Sequence, residues 1–232
     1  MPSSAVLPDR QLLIGGELTG QGSVEVEHVN PSTGQVQATA ALAGPREIDA
    51  AVGSAKAAQP QWRRMPADER RDILLRWAAI VRERYAQIAD LAALEYGAPL
   101  SQSRARGVYE WISYYAGWVD KLEGQAVPGV LARGLNYSLP EPYGVVGVLV
   151  PSNAPVFSSA MTAVPALAAG NTVVLKPTEY NPFTCVPVAQ WALEAGLPAG
   201  VLNVVPGPAA AGQALVGHPD VDKIAFTGGV DT

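Results

Sequence analysis

The chain has 232 residues, of which 48% are hydrophobic and 16% are charged, with a net charge of −5 and an isoelectric point near 5.1. This composition supplies a core for one or two domains and excludes intrinsic disorder. The acidic balance and the lack of a Lys/Arg run argue against a nucleic acid partner. One cysteine and two histidines supply neither a disulfide nor a zinc ligand set, so we expect no metal and a reducing, cytoplasmic location.

We expect no membrane span, although the segment from Pro142 to Leu175 holds no charged residue. Prolines at 151, 155 and 165, with several glycines and asparagines, divide it into pieces shorter than the ~20 apolar residues that a spanning helix needs. The first ten residues lack the cationic flank and apolar run of a secretory signal. The uncharged segment is therefore expected to form a buried strand, a turn, a helix and a second buried strand.

The N-terminal half of the sequence predicts short strands followed by helices. Residues 11–14 and the alternating segment 24–29 predict antiparallel strands with turns. Apolar residues at spacings of three and four then predict helices over 45–58, from 66 to about 97, and over roughly 102–122. The arginines of the second helix fall mostly between its apolar positions, which favours a solvated face over a binding patch.

After Gly124, predicted strands and helices alternate. The strands are 135–139, 145–150, 172–175, 201–205 and 223–226, and the helices are about 156–169, 183–195 and 209–217. The last four strands are short apolar runs without alternation, which is typical of strands buried on both faces of a parallel sheet. The sequence therefore predicts an α/β fold with a doubly wound parallel sheet, preceded by a helical N-terminal segment.

Ligands of doubly wound sheets bind beyond the carboxyl ends of the strands, so the residues that follow each strand are candidates for a site. They are Pro151-Ser152-Asn153, Lys176-Pro177-Thr178-Glu179, Pro206-Gly207-Pro208 and Thr227-Gly228-Gly229. No Gly-x-Gly-x-x-Gly motif follows any of these strands. Gly207 and Gly212 have the spacing of a phosphate loop, but Gln213 stands where the lysine belongs.

Lys176 and Glu179 supply a cation and a carboxylate just past one strand end. Such a pair can hold two ribose hydroxyls, and the carboxylate would repel a 2′-phosphate, which favours NAD over NADP. The alternative is an exposed ion pair, which would contribute little to stability. The residues by themselves leave both interpretations open.

Two further residues could take part in chemistry. The amide of Asn153 could donate a hydrogen bond to a developing oxyanion, or the residue could serve as a turn or helix cap. Cys185 stands at a predicted helix start, where a thiol pKa can be lowered, but a small buried apolar role is favoured because no base is near it in sequence.

Four blocks of the sequence together resemble the NAD(P)-dependent aldehyde dehydrogenase family. They are Glu141-Pro-Tyr-Gly-Val-Val-Gly-Val-Leu-Val-Pro-Ser-Asn-Ala-Pro155, Pro165-Ala-Leu-Ala-Ala-Gly-Asn-Thr-Val-Val-Leu-Lys-Pro-Thr-Glu179, Gly196-Leu-Pro-Ala-Gly-Val-Leu-Asn-Val-Val-Pro-Gly207 and Asp220-Val-Asp-Lys-Ile-Ala-Phe-Thr-Gly228. Asn30-Pro-Ser-Thr-Gly34 and Tyr114-Tyr-Ala-Gly-Trp118 fit the same family. The resemblance covers essentially the whole chain in order.

The resemblance implies oxidation of an aldehyde to a carboxylic acid with NAD(P) as cofactor. Asn153 matches the oxyanion-hole asparagine, and Lys176 with Glu179 matches the pair on the adenosine ribose. The other positions implied in cofactor binding are Val150, Pro151, Ser152, Thr178, Gly207, Gly212, Phe226, Thr227, Gly228 and Gly229. Ser152 stands where the family frequently has Trp, before Asn153 and Ala154, and the loss of this aromatic leaves the shape of the substrate open. Gly229 stands at a usual Ser and keeps close backbone approach possible.

The resemblance also implies a division of the chain into three regions. They are an N-terminal region 1–124, a segment of an oligomerisation hairpin 125–143, and a Rossmann-like cofactor core 144–232. The family's nucleophilic cysteine and general-base glutamate would lie beyond Thr232, so we expect the 232 residues alone to be inactive. Two expectations follow: part of a homo-oligomeric NAD-dependent enzyme, or, alternatively, a truncated NAD-binding remnant or one half of a split enzyme that pairs with a complementary chain.

Overall fold

The computed structural model describes residues 7–9, 11–100, 105–128 and 134–230. In these residues the N-terminal elements are β1 (Leu12–Ile14), β2 (Glu17–Thr19), β3 (Val24–Val29), β4 (Val36–Leu42), α1 (Pro45–Arg64), α2 (Ala67–Tyr96) and α3 (Ala105–Ala116). Two short strands follow, β5 (Ala126–Val127) and β6 (Asn136–Tyr137). The remaining elements are β7 (Val145–Leu149), α4 (Pro155–Ala168), β8 (Thr172–Lys176), α5 (Cys185–Glu194), β9 (Leu202–Val204), α6 (Ala209–Val216) and β10 (Lys223–Phe226).

The main sheet has the strand order β10-β7-β8-β9-β1-β2. Strands β10, β7, β8 and β9 are parallel to one another, as the sequence predicts. The N-terminal hairpin extends this sheet, because β1 pairs antiparallel with β9 at Leu13 and Val204. The α/β fold with a parallel, doubly wound sheet is confirmed.

Helices cover both faces of the parallel strands, and every residue of β7 and β8 is buried. Helices α2, α3, α4 and α5 share one apolar core with the sheet, and helices α1 and α6 share the other. The uncharged segment folds as the predicted strand, turn, helix and strand because its apolar side chains face helices on both sides. In the described part of the chain, no helix has the length and apolarity needed to cross a membrane.

Helix α1 runs six residues past its predicted end at Ala58, through Pro60 to Arg64. Proline inside a helix removes a hydrogen bond, so Pro60 locally disfavours this extension. The extension buries Trp62 completely, and its indole Nε1 donates to the carbonyl oxygen of Leu167 at 2.9 Å. This tertiary contact outweighs the local cost of the proline.

Two other predicted elements are shorter than expected. The third helix ends at Ala116 rather than Leu122, since turns occupy 117–120, and its predicted start at 102–104 lies outside the described residues. The predicted strand 135–139 is reduced to Asn136–Tyr137, which pairs antiparallel with β5 in a separate two-stranded ribbon. Its side chains are exposed, so no packed face favours a longer strand. Strand β4, which the sequence reasoning did not predict, pairs with β3 in a second ribbon.

Candidate functional site

The residues that follow the four parallel strands meet at one edge of the sheet. Hydrogen bonds continue between neighbouring segments past the strand ends: Thr227 N–H donates to Leu149 O at 3.1 Å, and Val150 N–H donates to Lys176 O at 3.3 Å. The Gly207 N–H donates to Pro177 O at 3.1 Å. The structure therefore brings together the four segments that the sequence selects.

The point where the strand order reverses lies at β7. The chain passes from β7 through α4 to β8 on one side, whereas β10 returns through α6 to pair with β7 on the other. Crevices at such points are where doubly wound sheets bind ligands. Val150, Pro151 and Ser152 follow β7 at this point, and Thr227, Gly228 and Gly229 follow β10 beside them.

The side chain of Lys176 is buried at the centre of this edge, with 6% of its surface exposed. Its Nζ donates to Gly207 O at 2.6 Å and to Pro177 O at 3.1 Å. An ammonium carries three N–H donors, so one remains for an oxygen of a ligand. Burial lowers the pKa of Lys176, and the charge of Glu179 opposes this shift.

The alternative interpretation of Lys176 and Glu179 as an exposed ion pair is wrong. Lys176 is buried, Glu179 is half-buried, and the ion pairs among the described residues do not include one between them. The lysine is instead fixed by two backbone carbonyls, because the loop after β9 closes over it. The carboxylate of Glu179 is left to face solvent or a ligand near Thr178.

Glycine is required at position 207 by close packing. A Cβ there would lie 2.6 Å from Ala43 O and 2.8 Å from the Cβ of Ala211. Gly212 lies on the first turns of α6, where a Cβ would be 3.5 Å from Cε of Lys176. The absence of a side chain at position 207 lets the loop after β9 pack closely on the first turn of α6, and Gly212 lies beside the stem of Lys176.

The segment after β10 is exposed. Phe226 is 48% exposed, and a Cβ on Gly228 would overlap its ring, so the glycine lets the chain fold back over the aromatic face. Thr227, Gly228 and Gly229 are all exposed. Strand β10 pairs with β7 along one side and has no other strand neighbour among the described residues.

Asn153 is exposed in the turn between β7 and α4, at the same edge of the sheet. Ala154 caps α4, without a side-chain hydrogen bond, and within the described residues the amide of Asn153 makes no hydrogen bond. Asn153 therefore does not cap α4, but it does lie in a turn, as the alternative interpretation expects. Its amide N–H groups are available to a ligand oxygen.

Cys185 lies at the start of α5, with 3% of its surface exposed. Burial raises the pKa of its thiol to about 12, the charge of Glu95 adds to the shift, and its Sγ lies 3.6 Å from Oγ of Ser159. The thiol is therefore neutral at pH 7, which agrees with the predicted buried role. In the described part of the chain, no group of three or more His, Cys, Asp and Glu side chains is placed to hold a metal ion.

The sequence reasoning missed a buried carboxylate near the site, Glu95 in the last turn of α2. Glu95 is 2% exposed and accepts hydrogen bonds from the backbone of Phe183 and Thr184, in the loop that carries Thr178 and Glu179. A sequence signal was present, because Glu95 continues the buried stripe of Ile88 and Leu91 at helical spacing.

Comparison with known proteins agrees with this geometry. The sequence model of the aldehyde dehydrogenase family matches residues 18–232. Aldehyde dehydrogenase family 2 member B4, mitochondrial, of Arabidopsis thaliana is 42% identical over 96% of this chain and 42% of its own length. The NAD+ complex of an aldehyde dehydrogenase from Bacillus cereus has a TM-score of 0.89 at 38% identity, covering 94% of this chain and 46% of that one. An NADP-dependent enzyme of E. coli has a TM-score of 0.89 at 35% identity, with 94% and 46% covered.

The chain spans less than half the length of each of these three proteins. The match nevertheless covers most of this chain at 35% identity or more, in sequence and in three dimensions. The chain belongs to the aldehyde dehydrogenase family.

Proposed function

We propose that the protein to which this chain belongs oxidises an aldehyde to a carboxylic acid with a nicotinamide dinucleotide, and that this chain supplies the cofactor site and an oxyanion donor. One observation carries the proposal. Four strand-end segments meet at one edge of the sheet, and they place a buried lysine with a spare N–H, a glycine-lined helix N-terminus and the amide of Asn153 there.

The residues present fit a dinucleotide. Lys176 would donate its remaining N–H to a ribose hydroxyl, and Glu179 would accept from another, with Thr178 beside it. The N-terminus of α6, between Gly207 and Gly212, would face the pyrophosphate, since backbone N–H groups and the helix dipole favour anions there. Val150, Pro151, Ser152 and the segment Phe226–Gly229 would form the remaining walls. When bound, the nicotinamide supplies the hydride acceptor.

We propose that Asn153 donates an amide N–H to the aldehyde oxygen as negative charge develops on it during nucleophilic attack. Replacing one such donor typically costs ~10²–10³ in kcat. Asn153→Ala in the complete protein is therefore expected to reduce kcat in this range with NAD affinity unchanged. Steady-state kinetics with an aldehyde panel, read as NADH absorbance, measure both. Unchanged kcat would contradict the role of Asn153, and no turnover by the unmodified protein would contradict the proposed function.

The 232 residues alone are proposed not to turn over aldehydes. Their one cysteine, Cys185, is buried with a thiol pKa of about 12, so it cannot serve as a thiolate nucleophile at neutral pH. Cofactor-dependent NADH formation by the pure 232-residue polypeptide would contradict this. Complementation by a second chain would favour the split-enzyme alternative.

NAD is the proposed cofactor in preference to NADP. The half-buried Glu179 carries no ion-pair partner among the described residues, so its charge would repel a 2′-phosphate. Glu179→Gln is expected to lower the ratio of NAD to NADP affinity about tenfold, roughly the effect of one charge at close range. Isothermal titration of both cofactors measures the ratio. An unchanged ratio would contradict the role of Glu179.

The β5–β6 ribbon is proposed to contribute to a homo-oligomer. Leu135 and Leu139 flank β6, and they are 81% and 70% exposed. Exposed apolar side chains of this kind favour association. Sedimentation of the complete protein measures its oligomeric state. Replacement of both leucines by Ser should shift the protein toward monomer. The three regions 1–124, 125–143 and 144–232 and a cytoplasmic location stay predictions.

A further inference from the structure

We propose that Glu95 is a positioning residue for the cofactor site: it fixes the loop 177–184, and through it the segment Thr178–Glu179. The inference rests on the proposed function, because it assigns Thr178 and Glu179 to the adenosine ribose. It adds a residue of α2, distant in sequence, that touches neither the cofactor nor the substrate.

Glu95 lies at the C-terminal end of α2, with its carboxylate directed at the start of α5. Its Oε1 accepts the backbone N–H of Phe183 at 2.5 Å and that of Thr184 at 3.1 Å. Its Oε2 accepts the hydroxyl of Thr184 at 2.5 Å. Two backbone donors and one side-chain donor of the loop therefore converge on one carboxyl group that is 2% exposed.

The contact at Phe183 and Thr184 is linked back to the ribose residues through Asn181. Asn181 N–H donates to Thr178 O at 3.1 Å, and the hydroxyl of Thr178 donates to Oδ1 of Asn181 at 3.0 Å. Asn181 is fully buried, it precedes Phe183 by two residues, and its Nδ2 has no hydrogen-bond partner in the described part of the chain. A displacement of residues 183–184 would therefore be transmitted to Thr178.

The β3–β4 ribbon contacts the middle of the loop. The ring Nε2 of His28, on β3, lies 3.3 Å from Tyr180 O, and its Nδ1 lies 3.0 Å from Nε2 of Gln37 on β4. Gln37 Nε2 also donates to Leu94 O at 2.6 Å, next to Glu95. The β3–β4 ribbon and the end of α2 thus form one support for the loop.

The loop depends on this support because, among the described residues, no strand pairs with 178–184 to accept its backbone donors. A buried N–H that loses its acceptor costs more than the hydrogen bond itself was worth, so the loop would move to find another. The two oxygens of one carboxyl group meet all three convergent donors, which accounts for a polar residue on an otherwise apolar helix face.

The experiment compares the complete protein with Glu95→Ala, Glu95→Gln, Thr184→Val and the control Trp62→Phe. Trp62 donates one buried hydrogen bond to Leu167 O in α4, so replacing it lowers stability without touching the loop. Hydrogen–deuterium exchange of peptides covering 177–184 reports the loop, and isothermal titration with NAD reports the site. Thermal unfolding of every variant shows how much stability each change removes.

Glu95→Ala is expected to accelerate exchange in 177–184, leave β8 protected, and raise the Kd for NAD about tenfold, the effect of losing a charge-assisted contact. Glu95→Gln keeps one acceptor oxygen for the two N–H groups and should restore Kd to within about threefold. The Kd of Thr184→Val should fall between those of Glu95→Ala and Glu95→Gln. This variant still tests the proposal if Glu95→Ala does not fold. Trp62→Phe should leave Kd unchanged.

Two results would overturn the inference: exchange in 177–184 unchanged in Glu95→Ala and Thr184→Val, or an equal rise in Kd for Trp62→Phe at equal loss of stability. Either can occur while the unmodified protein binds NAD normally. Failure of the unmodified protein to bind NAD would instead contradict the proposed function, and the exchange data would still report whether Glu95 holds the loop.

Discussion

The loops after β8 and β10 lie at the same edge of the sheet, and both carry predicted cofactor residues, but they are built differently. The loop after β8 is tied by Lys176, by Asn181 and by the buried carboxylate of Glu95. The segment after β10 is exposed from Phe226 onward and follows an edge strand. Within the described residues, the loop after β8 thus forms a firm wall of the proposed site, whereas the segment after β10 forms an exposed wall.

The difference shows where binding energy and specificity would come from. A wall whose donors are already in place loses little conformational entropy when a ligand binds, whereas an exposed glycine-rich segment must be ordered at that moment. The adenosine ribose is therefore expected to be recognised by preformed groups around Lys176, and the segment around Gly228 is expected to adapt.

The buried carboxyl of Glu95 should make the firm wall sensitive to pH. Burial raises the pKa of Glu95 to about 7, although hydrogen bonds from Thr184 and Phe183 oppose the shift. Because the folded-state pKa lies above the ordinary value of 4.5, the protonated group stabilises the fold fully below pH 4.5, and this contribution is lost as the pH rises through 7. One pKa unit corresponds to about 1.36 kcal/mol, so the free energy of unfolding should fall by an amount on the order of 3 kcal/mol.

Urea unfolding from pH 4.5 to 8 measures this contribution as the difference between the unmodified protein and Glu95→Gln. Glu47→Gln is a matched control. Glu47 is also buried, and although burial opposes it, hydrogen bonds from Ser23, Gly44 and Arg46 lower its pKa to about 2. Its stabilising contribution is complete above pH 4.5 and is lost only as the pH falls toward 2. Parallel pH curves for the unmodified protein and Glu95→Gln would contradict the prediction.

Gly207→Ala should damage the firm wall directly. The new Cβ would overlap Ala43 O and the Cβ of Ala211, so either α6 or the loop after β9 must move. Overpacking of this kind costs about 1–3 kcal/mol, and the displaced carbonyl of Gly207 would also lose Lys176. Thermal unfolding should show a loss of stability, and NAD titration should show a loss of affinity.

Gly53→Ala provides the matched control for Gly207→Ala. Gly53 lies inside α1, and a Cβ added there would meet no atom within 4 Å, so alanine should raise stability by about 0.5–1 kcal/mol through backbone entropy. An equal change in stability in Gly207→Ala and Gly53→Ala would show that close packing at position 207 is unimportant.

Lys176→Met should weaken NAD binding with a smaller effect on stability. Methionine keeps much of the apolar stem but removes the donors to Gly207 O, to Pro177 O and to a ligand. A loss of about tenfold in affinity is expected, the value of one charge-assisted hydrogen bond. Lys223→Met on exposed β10, where the ammonium lies over Tyr143, should leave affinity unchanged. Equal losses at both lysines would remove the distinction between the two walls.

Much of the fold and the choice of site segments could be predicted from the sequence because parallel strands buried on both faces leave clear apolar runs. The continuation of α1 past Pro60 could not, since it depends on Trp62 reaching Leu167 more than a hundred residues away. Lys176 and Glu179 were identified together, yet their geometry was open, because the two carbonyls that hold the lysine come from separate loops. Glu95 was missed because its donors lie in a different element.

The most direct measurement of the central claim is hydrogen–deuterium exchange of the complete protein with and without NAD. If the four strand ends form the cofactor site, NAD should slow exchange in peptides covering 150–153, 176–179, 207–212 and 226–229, and it should leave exchange in the β3–β4 ribbon unchanged. Saturating NAD that leaves these four segments unchanged, or that protects only segments elsewhere, would contradict the account.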